Sequence, residues 1–397
     1  MQAIIDYIKN NIDKTIKEPN NEVPYPYSSP CMKDIYTDLF YWDTYFINIG
    51  LMILGKGEQV KNNLDNIAYF INKLGYMPNA SSLLNRSQPP FFTRAVYEYW
   101  NYTGDNNVIV RYVDAIIKEH DFWKEKRTRK FGLNSYYVTD TEEVTLGHYF
   151  AFSDRVKEYS DSKEGQLRIG VEIMSIAESG FDFNMRFRTE ESNIAASEFI
   201  HLDLNCILYD AEIKLSEMLE VVGRSEEANE YKNKALIRKE LMNQYFLTKD
   251  GIYMDYNFVS KKHGSVLSNA SLYPYIFGIS DDSKGAKKVL EKLELEHGVT
   301  CTVNRGDDIY YQWDYPLIWG EMHILDYIGL LNVHLLDDAK RIKNKFMATV
   351  EHVFEKEHKL FEKYDGNTGE ISNCEYDAPE MLGWTAAAYL YFNNIKD

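Results

Sequence analysis

The stretch DLNCILYDAEIKLSEMLEVV, residues 203–222, decides the fold class of this 397-residue chain. Its apolar residues Leu204, Ile207, Leu208, Ala211, Leu215 and Leu219 recur at three- and four-residue steps, which places them on one face of a helix. Gly223 then ends it. Residues 57–75 repeat the pattern through Val60, Leu64, Ile67, Ala68, Ile71 and Leu74, with Gly75 as the stop. Ser225 offers a cap for a helix running to about Phe246, and Ile342, Phe346, Val350, Val353 and Phe354 mark another. Windows of this kind predict about twelve helices, near 2–16, 41–54, 57–74, 92–102, 107–125, 166–178, 196–222, 226–246, 268–277, 283–293, 316–331 and 335–357. A candidate for a last one follows Pro379.

Strand signals are short. GIYMDYN (251–257) and KLFEKYD (359–365) each follow a long helix and read as helix–loop segments or small hairpins. No Pro/Gly/Ser linker divides the chain, so a single all-α domain over residues 1–397 is expected. Paired helices with functional loops at one end suggest a helical toroid. Helix counting alone leaves a solenoid open, although no repeat-length self-similarity supports one.

Composition narrows the function. The formal charge is −17, spread along the chain, which argues against nucleic acid and anionic membranes as partners. The chain carries 31 Tyr, 20 Phe and 6 Trp, and amphipathic rings make good walls for ligands that pair an apolar face with hydroxyls. Four scattered cysteines, Cys31, Cys206, Cys301 and Cys374, form no CxxC pair. With Asp6, Lys9, Asp13 and Lys14 breaking the first twenty residues, the expectation is a soluble, cytoplasmic protein.

There is no GxSxG elbow, HExxH pair or phosphate-binding loop. His148 and His201 are isolated, and His352 and His358 read as a solvated face. What remains is carboxylates among rings. Asp182 lies between Phe181 and Phe183 in AESGFDFNMRF (177–187); burial there would raise its pKa toward that of a proton donor. Taken alone, the segment reads more simply as a cap or a partner for Arg186. Glu362 stands beside Lys363 and Asp365, for which a surface salt-bridge cluster is the plain reading. FYWDTYF (40–46), NRSQPPFF (85–92) and YQWDYP (311–316) add polar groups set among rings, as a small-molecule pocket needs.

These segments, in order FYWDTYF, PNASSLLNRSQPPFF, AESGFDF, LDLN (202–205), GIYMDYN, QWDYP and LFEKYD with EY and GW after it, resemble the hallmark segments of trehalases, glycoside hydrolase family 37. Family 63, with its glucosidases and mannosylglycerate hydrolases, shares the clan and weaker versions of the motifs. The resemblance implies an (α/α)6 toroid that hydrolyses an α-glycosidic bond with inversion, using no metal or organic cofactor. It makes Asp182 the general acid and Glu362 the general base. Their carboxyl groups are then expected about 6.5–9.5 Å apart, leaving room for a water. An acid flanked by rings and a base in more polar surroundings would suit those roles. Trp42, Asp43, Asn79, Arg86, Gln88, Gln312 and Trp313 match sugar-binding positions, and Glu375 a further acid of the pocket. Tyr36, Phe40 and Gly180 complete the candidate substrate-binding set.

The chain departs from the family in three places. DIYTDLF (34–40) lacks the arginine that usually precedes YWD; residues 140–165 replace an Arg-Pro-Glu-Ser segment; and the glycine-rich lid is reduced to GNTGEISNC (366–374). Those pieces grip the second sugar, so the leaving group stays open. Trehalose is the first expectation and another α-glucoside or an α-mannoside, such as mannosylglycerate, the alternative. For the alternative, the His148–Arg155 stretch and Tyr36 would line the leaving-group site, and Arg86, Arg155 or Arg186 would pair with a carboxylate. A sugar epimerase or a sugar-binding protein without catalysis are the rivals from other classes. The partner expected is a small carbohydrate; oligomeric state is not legible.

Overall fold

The computed structural model describes residues 1–395 apart from 34, 190 and 307–310. In chain order the helices are α1 (Gln2–Asn11), α2 (Tyr41–Ile53), α3 (Gly57–Leu74), α4 (Phe92–Thr103), α5 (Asn107–Arg127), α6 (Glu142–Val156) and α7 (Lys163–Glu178). They continue with α8 (Leu202–Val221), α9 (Ser225–Tyr245), α10 (Tyr273–Ile276), α11 (Ser283–Leu293), α12 (Gly320–Asn332), α13 (Leu336–Glu357) and α14 (Trp384–Asn394).

Six of them close a ring. α2 packs on α4, α4 on α8, α8 on α10, α10 on α12, α12 on α14, and α14 returns to α2. Each of four is backed by an outer helix next to it in sequence: α3 behind α2, α5 behind α4, α9 behind α8, and α13 behind α12. α11 packs on the 3₁₀ turn Asn269–Leu272 that leads into the short α10. In the outer layer α1 meets α13, where Tyr7 and Phe354 pack edge to face. The result is an (α/α)6 toroid.

The hydrophobic pattern explains the two layers. Outer helices such as α3 carry one buried stripe, whereas α2 and α8 are buried on nearly every side, as helices enclosed by a second layer must be. Close approach within the ring needs small residues. A Cβ on Gly50 would lie 3.3 Å from the Cα of Ala387, so α2 and α14 seal the ring with almost no side chain between them.

The helix bounds depart from the sequence reading in several places: the 316–331 helix begins only at Gly320, after the strand Leu317–Trp319, and the 2–16 helix ends at Asn11 and gives way to a 3₁₀ turn. α6 was not predicted, because EEVTLGHYFAFSDRV offers only a short, half-exposed apolar face. Residues 196–200 form a 3₁₀ turn and a strand, and α8 begins at Leu202. The 268–277 helix is mostly 3₁₀, with Pro274 in the first turn of the α-helical remnant. Ser225 is the first residue of α9 rather than its cap, and its hydroxyl donates to Glu220 instead.

The short strands work as fasteners. Tyr256–Asn257 pairs with both Phe199–Ile200 and Lys262–His263. Leu317–Trp319 pairs antiparallel with Lys363–Asp365, which sets the QWDYP segment directly beside Glu362. No helix among the described residues is long and apolar enough to cross a membrane.

Candidate active site

A cavity of roughly 210 Å³ opens at the end of the toroid where α2, α12 and α14 begin. Its lining includes both catalytic candidates, Asp182 and Glu362. Also lining it are Tyr36, Phe40, Trp42, Asp43, Asn79, Arg86, Gln88, Gly180, Gln312 and Trp313. Sequence reasoning placed these together; Tyr376, Trp319, Trp384, Leu83 and Met381 join them.

The walls are indoles. Trp313 stacks on Trp319 at 3.8 Å between ring centroids, Trp42 and Trp384 pack against Trp313 at 5.6 and 6.2 Å, and the Trp384 indole nitrogen donates to the Glu362 carbonyl at 2.9 Å. Gly180, at φ +78°, turns the chain beneath Trp42. A Cβ there would sit 3.1 Å from the indole, so both the turn and the contact require glycine.

The acid loop is held from three sides. Gln312 donates from its side chain to the Asp182 carbonyl. Asp314 accepts from the Met185 backbone at 3.0 Å and from the Thr302 hydroxyl at 3.1 Å. Arg186 is fully buried between Asp203 and Asp255, at 2.6 Å from each. Those two acids come from LDLN and GIYMDYN, which explains what the segments do. It also removes Arg186 as a partner for Asp182 or for a ligand.

On the far side, Glu362 is 3% exposed and accepts from the Tyr376 hydroxyl at 2.8 Å. The same hydroxyl is within hydrogen-bonding reach of the Gln312 side-chain oxygen and accepts from the Tyr36 hydroxyl at 3.4 Å. Lys363, expected at the surface, is completely buried, because Trp319 and Tyr376 cover it. Glu375 stands behind the cavity lining. Its carboxylate takes Arg155 at 2.9 and 3.2 Å and the Gln312 backbone N–H at 2.8 Å. Arg155, from the C-terminal turn of α6, reaches on to the Asp182 carbonyl at 3.3 Å.

Burial sets the electrostatics. It pushes Asp182 up to about 6, against the pull of Arg155 and Arg86, and Glu362 up to about 7, against Lys363 and the Tyr376 hydrogen bond. Asp43 rises to about 8 through burial, with the charges of Glu362 and Asp182 adding to it. The expectation that Glu362 occupies the more polar setting does not hold, because Asp182 is half-buried and Glu362 is enclosed. His201 is pushed down to about 3 by burial and accepts from the Tyr136 backbone N–H, a structural role. No histidine is among the described residues lining the cavity.

A larger cleft of roughly 490 Å³ lies between residues 188–199 and 257–265. Of its two described acids, Glu191 is exposed, and Glu198 accepts from Asn257 at 3.0 Å.

Two carboxyls at an indole-walled cavity in the mouth of an (α/α)6 ring are the equipment of a glycoside hydrolase. The chain matches the Trehalase family model over residues 8–395 and belongs to that family; it is a trehalase-like glycosidase. The periplasmic trehalase of Salmonella choleraesuis is 28% identical over 94% of this chain and 69% of its own length. The Salmonella schwarzengrund periplasmic trehalase is 29% identical with the same coverage. In fold, a neutral trehalase from Saccharomyces cerevisiae superposes with a TM-score of 0.74 at 21% identity, covering 98% of this chain and 79% of that one. A mannosylglycerate hydrolase from Thermus thermophilus gives 0.68 at 14%, covering 99% of each.

The relatives overturn one expectation. Those from Salmonella are named periplasmic, so scarce cysteines and a polar first helix do not place this chain in the cytoplasm.

Proposed function

We propose that this chain is a single catalytic domain that hydrolyses a neutral α-linked disaccharide with inversion, trehalose first. Asp182 protonates the glycosidic oxygen as the bond to the anomeric carbon breaks. Glu362 takes a proton from a water whose oxygen attacks that carbon from the opposite face. The sugar attacked at its anomeric carbon is then released as the β-anomer.

The observation that carries this reading is the charge of the lining. Asp43, Asp182 and Glu362 face a single cation, Arg86, among the described residues of the cavity. Such a lining suits a ligand rich in hydroxyls and offers a carboxylate only Arg86 as a counter-charge. Of the cations behind the lining, Arg155 is committed to Glu375 and Lys363 to Glu362. Asp43, Asn79, Arg86 and Gln88 supply hydrogen bonds around one sugar ring, and the indoles take its apolar face. At about 30 Å³ per water, the cavity holds the volume of roughly seven waters, which fits one pyranose and leaves the second at the mouth.

Asp182→Ala and Glu362→Ala should each lower kcat on trehalose by at least about a thousandfold, an estimate in line with general acid–base contributions. Their melting temperatures should stay near that of the wild type. Near-normal turnover by either variant would remove its residue from the mechanism.

A further inference from the structure

Glu362 must be ionised to act as a base, yet burial pushes it up to about 7. What opposes that burial is a buried cation beside Glu362.

Lys363 is 0% exposed, and its Nζ lies 3.9 Å from Glu362 Oε2. The ammonium donates to the Cys374 carbonyl at 3.1 Å and to the Gln312 side-chain oxygen at 3.4 Å, and it sits 3.3 Å from the centroid of the Tyr376 ring. A buried ammonium is costly unless its donors and charge are answered. Gln312 and Tyr376, which answer it here, also touch a catalytic carboxyl or its loop. Gln312 holds the Asp182 carbonyl, and Tyr376 holds Glu362.

We propose that Lys363 is a positioning residue whose buried charge keeps Glu362 ionised for its work as base and whose hydrogen bonds fix Gln312 and the 374–376 turn against the cavity. The inference rests on Glu362 being the base.

The groups facing the pair come from several elements. Glu362 feels Lys363, the Tyr376 hydroxyl, Asp182 and Arg155. Lys363 feels Glu362, Cys374, Glu375 and Arg155, and burial brings it down to about 8. Arg155 acts on both from α6, yet it is paired with Glu375, so Lys363 is the nearer cation, and Glu362 is the carboxylate it pairs with.

The test is the pH dependence of kcat/KM on trehalose for wild type, Lys363→Met and Lys363→Arg. In Lys363→Met one limb of the profile should move at least one pH unit to the alkaline side, the other should stay, and the maximum should fall at least tenfold. Lys363→Arg should restore the limb. Loss of activity in Lys363→Met with both limbs in place would overturn the proposal. A measurement on the unaltered protein covers a methionine variant that does not fold. The ¹³C resonance of the Glu362 carboxyl should show a second inflection near pH 8 as Lys363 loses its proton, and a single inflection would overturn the coupling. Glu362→Gln separates the two readings. If it turns over trehalose normally, the base assignment fails and takes Lys363 with it. If it is inactive while Lys363→Met keeps the wild-type profile, only the role of Lys363 fails.

Discussion

At the scale of the residue, the site is an arrangement of carboxyls that burial makes reluctant to ionise. Glu321 is the extreme case. It lies in the first turn of α12, fully buried, and neither carboxyl oxygen has a hydrogen-bond partner among the described residues. Burial pushes it well above the usual glutamate range, and the charges of Asp43, Glu362 and Asp326 add to the effect. Its folded pKa is raised, so folding costs nothing extra below about pH 4, where it is protonated in both states. As pH rises, the unfolded chain gives up the proton, the folded one keeps it, and stability falls. Glu321→Gln should therefore gain at least about 1 kcal/mol at pH 7, one pKa unit being about 1.4 kcal/mol, and nothing at about pH 4. Urea melts at the two pH values check it; an equal change at both would show that Glu321 ionises normally. Residue chemistry was only partly legible in sequence. Asp182 and Glu362 stood out by their motifs, but the burial of Lys363 and the bond from Tyr376 depend on Trp319 and Gln312, more than forty residues away.

At the scale of the element, the inner helices α2, α12 and α14 begin at the cavity, and loops tied by short strands close its sides. Long, strongly periodic helices such as α3, α11 and α13 were readable to within a residue or two, because one buried face against a neighbour imposes the period. α6 was not, yet it carries Arg155 to the Asp182 carbonyl and Glu375. Its stability comes from packing on α7 and from the Thr141 hydroxyl, which accepts from the Val144 N–H at 3.3 Å. The ring itself depends on tight crossings. Gly50→Val forces a branched side chain into the 3.3 Å gap against Ala387 and should cost about 1–3 kcal/mol, read as a lower melting temperature. An unchanged melt would mean that α2 and α14 can separate freely.

At the scale of the whole molecule, the toroid has no natural seam. α14 completes the ring by packing on α2, so a half-ring would leave the apolar flanks of its inner helices uncovered. Thermal unfolding followed by far-UV circular dichroism and by tryptophan fluorescence should give one coincident transition. Two separated transitions would argue against a single domain. The ring was only suggested by the helix count; its closure is a contact between residues more than three hundred apart, which no local pattern encodes. The family's motif order carried that information instead, and it also indicated where two distant acids would meet.

The measurement that tests the central claim most directly is proton NMR of the anomers released from trehalose in the first minutes of reaction. Inversion by Asp182 and Glu362 gives β-glucose and α-glucose in equal amounts before mutarotation. Two equivalents of α-glucose, with no β-anomer at early times, would contradict the mechanism.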